Sequence, residues 1–253
     1  MKITFLGTGT SQGVPVITCD CEVCVSKNKK DKRLRSSIMI EDKGKTIVVD
    51  TGPDFRQQML RENVQQLDAV VFTHEHKDHI AGLDDVRAFN FKQKADMEVY
   101  ATVETQTALK REFHYAFADN PYPGVPKLNL NTIDNSSFNI GDVKLLPINV
   151  WHHKMPVKAF RVENFTYITD ANRIEEEELE KIKGSDIIVI NTLRKSDHIS
   201  HFNLSQALEL LNRLKPKKAY LTHISHLLGA HDEVSKELPA YVEIAYDGLD
   251  FEI

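Results

Sequence analysis

The stretch His74-Glu75-His76-Lys77-Asp78-His79 places three imidazoles and the carboxylate of Asp78 within six consecutive positions. Imidazole and carboxylate together suit borderline divalent ions such as zinc and manganese. The apolar run Ala69–Thr73 before them reads as a buried strand, so the cluster falls in a loop at a strand's C-terminal end. A loop held by a rigid sheet is a usual place for chemistry. All three cysteines, Cys19, Cys21 and Cys24, form a second cluster. An odd, tightly spaced set in a reducing compartment favours a metal knuckle over a disulfide. Three thiolates need a fourth ligand for a closed tetrahedral zinc site.

Other ligand-type residues recur just beyond apolar runs. His152 and His153 follow Leu145–Val150, Asp170 ends Phe165–Thr169, and His223 ends Ala219–Thr222. His198 and His201 sit in a polar loop before a helix. This repetition is the pattern of a shared catalytic rim. Asp50, at the end of Thr46–Val49, either supports a ligand histidine by a hydrogen bond or forms a turn. Arg87 either reaches a substrate phosphate or pairs with Asp84 or Asp85. His198 orients substrate or is simply exposed, and Glu75 and Lys77 read as solvated. The Gly7–Gly13 stretch lacks the Gly-Lys-Ser/Thr of a phosphate loop, and Pro15 and the cysteines replace the helix a dinucleotide site needs. It reads as a tight turn that lets the backbone pass close to the metals.

To position these groups the chain offers short apolar strands at 3–6, 37–40, 46–49, 69–72, 97–100, 143–148, 165–168, 187–190 and 219–221. Helices are expected at 54–63, 80–92, 103–116, 174–182, 203–214 and 231–238, the last three with Leu/Ile at helical spacing. Residues 8–36 and 117–136 look irregular, the second being a surface loop or a border of the active-site mouth or a partner surface. The order of elements suggests an α/β chain with two sheets flanked by helices, in a single domain over residues 1–253. Composition agrees: 253 residues, 41% hydrophobic and 27% charged, form an ordinary globular chain. The net charge of −5, with no Lys/Arg-rich block, argues against a nucleic-acid partner. Nothing at the N-terminus resembles a signal peptide, and no apolar run approaches the ~20 residues of a membrane helix. The expectation is a cytoplasmic protein without a membrane partner.

The cluster HEHKDH resembles the H-x-H-x-D-H signature of the metallo-β-lactamase fold, with His152, Asp170 and His223 following in the family's order. That resemblance implies a four-layer αββα sandwich with two metals along one edge. GTGTSQGVP followed by C-x-C-x2-C, then DTGPDFR, HEHKDHIAGLDDVR and THISH, is similar to one branch, the phosphodiesterase of the carbon–phosphorus lyase pathway, which acts on cyclic ribose phosphates. The branch implies that His74, His76 and His152 hold one ion, Asp78, His79 and His223 the other, and that Asp170 bridges them. It favours His152 over His153 through the pattern H-x-K-x-P and the spacing to Phe160. It pairs Cys19, Cys21 and Cys24 with His226 around a structural zinc that staples the loop near 14–36. It names His201 as general acid, with Asp78 also among the catalytic groups; capping the helix near Asn203 is the plainer role for His201.

The function implied is a dinuclear zinc or manganese hydrolase, a phosphodiesterase of a small phosphate ester, cyclic or linear, with a homodimer implied by resemblance only. The alternatives are a tRNA 3′-processing endonuclease, which would need an inserted basic arm, and a non-catalytic metabolite-binding relative. A β-lactamase fits less well because Asp170 favours phosphoesters, and a glyoxalase-type thioesterase would lack the cysteine knuckle.

Overall fold

The computed structural model describes residues 1–253. Sheet one contains β1 (Lys2–Gly7), β2 (Ser37–Asp42), β3 (Lys45–Val49), β4 (Ala69–Val71), β5 (Met97–Ala101) and β6 (Leu128–Thr132). Sheet two contains β7 (Phe138–Ile140), β8 (Val143–His152), β9 (Met155–Val162), β10 (Phe165–Ile168), β11 (Ile187–Asn191), β12 (Lys218–Thr222) and β13 (Val242–Ile244). β14 (Asp250–Glu252) returns to pair with β1, so both sheets have seven strands, ordered β14-β1-β2-β3-β4-β5-β6 and β13-β12-β11-β10-β9-β8-β7. Each half begins with antiparallel hairpins and continues in parallel: β3 to β6 in one, β10 to β13 in the other.

Side chains alternate across each strand, so one strand feeds two cores. Ile47 and Val49 of β3 enter the core between the sheets, while Val48 faces the outer core of sheet one. On β11, Val189 faces inward and Ile188 and Ile190 face the outer core of sheet two. The outer core of sheet one is covered by α2 (Phe55–Arg61), α4 (Arg87–Gln93) and α5 (Val103–Glu112). That of sheet two is covered by α6 (Glu176–Ile182), α7 (Leu204–Leu214) and α8 (His231–Ser235). Three apolar layers between four layers of secondary structure make the αββα sandwich.

Three sequence expectations change. The single helix at 80–92 is broken: α3 (Lys77–Ile80) ends, a 3-10 turn spans Leu83–Val86, and α4 follows. Gly82 donates its amide to Thr51 O at 2.8 Å, and a Cβ there would stand 2.2 Å from Gly52 O. Close packing of that turn against the Gly52 loop stops a continuous helix. Residues 117–136 are not wholly irregular, since β6 closes the edge of sheet one, and α1 (Glu22–Val25) lies in the cysteine loop. β9 has no counterpart among the expected strands, because Pro156 and Lys158 interrupt its apolar run. No helix is long and apolar enough to cross a membrane.

Candidate metal centre

Asp50 and His223 directly follow β3 and β12, Asp170 is the second residue past β10, and each has a positive φ, +66° for Asp50, +51° for Asp170 and +55° for His223. For a residue with a Cβ this costs about 1–2 kcal/mol, and such strain gathers at functional sites. The bends turn all three side chains onto one rim. His74 follows β4 by two residues, and the short α3 carries Asp78 and His79. Gly52 closes the loop beneath: a Cβ there would meet Asp78 O at 2.1 Å.

Ligands about 2.1 Å from a common ion stand about 3.0–3.4 Å from one another. His79 Nε2 lies 3.0 Å from Asp170 Oδ2 and 3.2 Å from Asp78 Oδ2, and His223 Nδ1 lies 3.3 Å from Asp170 Oδ2. His74, His76 and His152 gather beside them, with ring centroids 4.6 Å apart for His74–His76 and 5.1 Å for His76–His152. The structure thus brings the seven expected ligands to one place, with the buried Asp170 within 4.8 Å of donor nitrogens of His74, His79 and His152.

Hydrogen bonds behind the rings aim them. Asp50 accepts from His79 Nδ1 at 2.7 Å and from the Thr73 amide and hydroxyl at 2.8 Å each. Because the Thr73 hydroxyl donates to Asp50, it must accept at 2.9 Å from His74 Nδ1. One carboxylate therefore fixes the tautomer of two histidines, directly and through Thr73. Of the nitrogens left over, His74 Nε2 is buried without a hydrogen-bond partner, while His79 Nε2 faces the Asp78 and Asp170 carboxylates. An unpaired buried nitrogen is costly, and a cation in front of the pair removes the cost.

The local charge agrees. Burial, then neighbouring His79, holds the His74 imidazole well below its usual pKa, leaving a neutral lone pair. Burial would do the same to His79, but Asp78, Asp170 and Asp50 outweigh it and raise its pKa well above the usual value. Burial would raise the Asp170 carboxyl, yet His223 and His79 hold it well below the usual carboxylate range. Carboxylates that hold a proton on a buried imidazole this firmly mark a place suited to a cation.

His152 Nδ1 donates to Ser200 O at 2.9 Å, which turns its other nitrogen toward the cluster. His153 is exposed in the β8–β9 turn, with φ +57°. The loop that supplies Ser200 also supplies His201, whose Nδ1 is buried, unpaired and 3.7 Å from Asp170 Oδ1. Burial first, then His223, pushes the His201 pKa down to about 3, so its imidazole is neutral at rest. Asn203, not His201, caps α7. The His198 ring lies 5.1 Å from that of His201, tilted by 33°. Arg87 is half exposed and pairs with Asp84 at 3.1 Å, away from the metal-type cluster. Lys77 pairs with Glu112. Thr73, Ser200 and Ser36, whose hydroxyl lies 3.1 Å from His223 Nδ1, were not expected from sequence. Only Thr73 carried a signal, as the hydroxyl residue preceding the histidine motif.

Cys19, Cys21 and Cys24 place Sγ at 3.3, 3.2 and 3.5 Å from His226 Nδ1. Tetrahedral zinc ligands at normal bond lengths stand about 3.5 Å apart, sulfur to nitrogen, so the four donors fit that ion. A backbone hydrogen bond from Cys24, then His226, draws the Cys21 thiol down to about 6, while burial pushes Cys24 up to about 11.

Residues 45–224 match the beta-lactamase superfamily domain. A solved diphosphatase of the PhnP family is 38% identical, with a TM-score of 0.94 over 100% of this chain and 96% of its own. An octanoyltransferase of Porphyromonas gingivalis is 37% identical over 253 residues, 99% of this chain but 51% of the relative, so this chain spans about half that protein's length. Zinc-bound PqqB of Methylobacterium extorquens, 18% identical with a TM-score of 0.80 over 100% of both chains, shares the fold. On these matches the chain belongs to the beta-lactamase superfamily, with the metallo-β-lactamase fold and resemblance to the PhnP family.

Proposed function

We propose that this chain is a dinuclear metal-dependent phosphodiesterase of small phosphate esters, working in the cytoplasm, where its thiols stay reduced. The observation that carries the reading is the buried Asp170, within 4.8 Å of whose carboxylate stand donor nitrogens of His74, left without a partner, and of His79. In this reading His74, His76 and His152 hold one divalent ion and Asp78, His79 and His223 a second, with Asp170 shared. Zinc or manganese suits the donors. Cys19, Cys21, Cys24 and His226 hold a structural zinc. When bound, paired divalent ions supply an activated water nucleophile and positive charge for a phosphoryl group. The similar diphosphatase supports phosphorus–oxygen chemistry.

The chain's own residues do the rest. Asp50 keeps the His74 and His79 nitrogens turned toward the ions. Ser200 holds His152. His201, at 3.7 Å from the shared Asp170, stands where it can pass a proton to the departing oxygen. To act so, its imidazole must first take up a proton from solvent, which an anionic ester beside it would favour.

Replacing His201 with alanine tests the reading in metal-loaded protein. The rate on an alkyl diester should drop about 10²–10⁴-fold, while a p-nitrophenyl ester, whose leaving group needs no proton, should lose much less. Equal losses on both esters with unchanged metal content would remove His201 from proton transfer. No turnover of either ester by metal-replete wild type would overturn the phosphodiesterase reading.

A further inference from the structure

Thr169 and Thr222 occupy matching places in the rim. Each lies at the C-terminal end of a strand of sheet two, each is fully buried, and each immediately precedes an expected ligand, Asp170 or His223. Their hydroxyls differ. That of Thr169 donates to Asp170 Oδ2 at 2.8 Å, whereas that of Thr222 has no hydrogen-bond partner. A threonine in such a place therefore does not engage its neighbour by default. The oxygen that Thr169 holds is also the one 3.0 Å from His79 Nε2 and 3.3 Å from His223 Nδ1, while Oδ1 lies 3.7 Å from His201 Nδ1.

Behind Thr169 stands a second hydroxyl. Tyr167 comes two residues earlier and points into the core between the sheets, and strand alternation puts Thr169 on the same side. Tyr167 is 1% exposed, its phenol lies beside Thr169, and its oxygen has no hydrogen-bond partner. Burial first, then the Asp50 carboxylate, raise its pKa far above the ordinary phenol value, so it keeps its proton and has one to donate. Because Thr169 gives its own proton to Asp170, its oxygen is free to accept. Phenylalanine would fill the same space without burying a polar atom, so packing alone does not call for the phenol.

We propose that Thr169 is the positioning residue of the shared carboxylate, and that Tyr167 is the donor that holds the Thr169 hydroxyl in that orientation. The proposal rests on the two-ion reading above and deepens it. A carboxylate binds a cation through one oxygen or chelates it through both. Set between two ions, Asp170 serves both only while it does not turn wholly toward one. A hydroxyl proton fixed on Oδ2 from the core side resists that turn. Asp50 aims ligands of both ions, whereas Thr169 governs how one ligand is divided between them.

The test is titration of the full chain with Mn(II), after removal of active-site metal and with the cysteine site left in zinc. Calorimetry reads the two affinities, and electron paramagnetic resonance reads the contact between the ions. Ions that share a ligand are magnetically coupled and lose the sharp hyperfine lines of isolated Mn(II). In Thr169→Val, a change that keeps the side chain's shape, the weaker site should lose about 10–100-fold in affinity. The tighter site should change little, and the isolated-ion lines should return. Thr169→Ser, which keeps the hydroxyl, should behave as wild type, and Thr222→Val should leave both affinities in place. Tyr167→Phe, which keeps the core packing, is the second variant and should give the same split in smaller measure. Wild-type affinities and coupling in Thr169→Val or in Tyr167→Phe, or an equal split in Thr222→Val, would overturn the proposal. A wild type that takes up a single Mn(II) would overturn the two-ion reading, and the proposal with it.

Discussion

Asp50 illustrates how far residue types alone reach. Its place after an apolar strand suggested a hydrogen bond to a ligand histidine, and the structure shows that bond at 2.7 Å from His79. What sequence could not reveal is the second arm through Thr73 to His74. Hydroxyls and carbonyls occur everywhere, so Ser36 and the Ser200 carbonyl carry no signal until the fold brings them behind a ring, and Thr73 carries only its place before the histidine motif. The ligands were legible because imidazoles and carboxylates crowded at strand ends are rare and costly without a cation. If Asp50 orients ligands of both ions, Asp50→Asn should weaken retention of both together. The expected loss is about 10–100-fold in metal affinity, read by metal content after dialysis against a graded chelator. Loss of only one ion would show that the Thr73 arm does not act.

Elements outside the rim decide whether its parts stay in place. Thr10 donates its amide to Ile224 O at 3.1 Å, Ile224 donates back to Thr8 O at 2.8 Å, and the Thr10 hydroxyl lies 3.3 Å from His223 Nε2. The cysteine loop and His226 hold the two ends of this contact. Cys21→Ser, stripped of its thiolate-bound zinc, should therefore lose activity on the order of tenfold, with faster amide exchange at Thr10 and Ile224. Full activity in that zinc-free variant would separate the knuckle from the site. The same region has a pH-dependent joint: Arg33 Nη2 lies 3.3 Å from His231 Nδ1, which accepts only when neutral. Burial, then Arg33, pushes His231 down to about 4 from an ordinary 6.5. A histidine whose folded pKa is depressed contributes fully above the unfolded value, and its contribution fades as pH falls through the folded one. Between pH 7 and pH 4, wild type should lose about 2 kcal/mol relative to His231→Gln in chemical denaturation. A constant difference would show that the pair does not titrate on folding. At this scale the sequence was legible where apolar periodicity was unbroken. It was not at β9, where a buried lysine looks like a surface residue until its partners Asn135 and Asn149 arrive from elsewhere.

Sheet order was the least legible feature, because pairing depends on which apolar faces meet, and one sequence cannot say that. Yet that order explains the site. The loops after β3 and β4 in sheet one deliver Asp50, His74, His76, Asp78 and His79, while sheet two and its loops deliver His152, Asp170, His201 and His223. In the proposed assignment neither half owns a complete ligand set, since His152 would join the first group and His223 the second only when the inner core closes. Bound ions would therefore tie the two sheets together across that core, and their removal should destabilise the whole sandwich. An ion held at 100 times its Kd contributes about 2.7 kcal/mol, which for a chain of this size is about 5–10 °C in Tm. Chelation of the wild type should lower Tm by at least that much in a single transition. His152→Ala and His79→Ala, one from each sheet, should each reproduce much of the loss and respond less to chelator. An unchanged Tm after verified metal removal would mean that the sheets are held by the apolar core alone, with the ions as passengers on its rim.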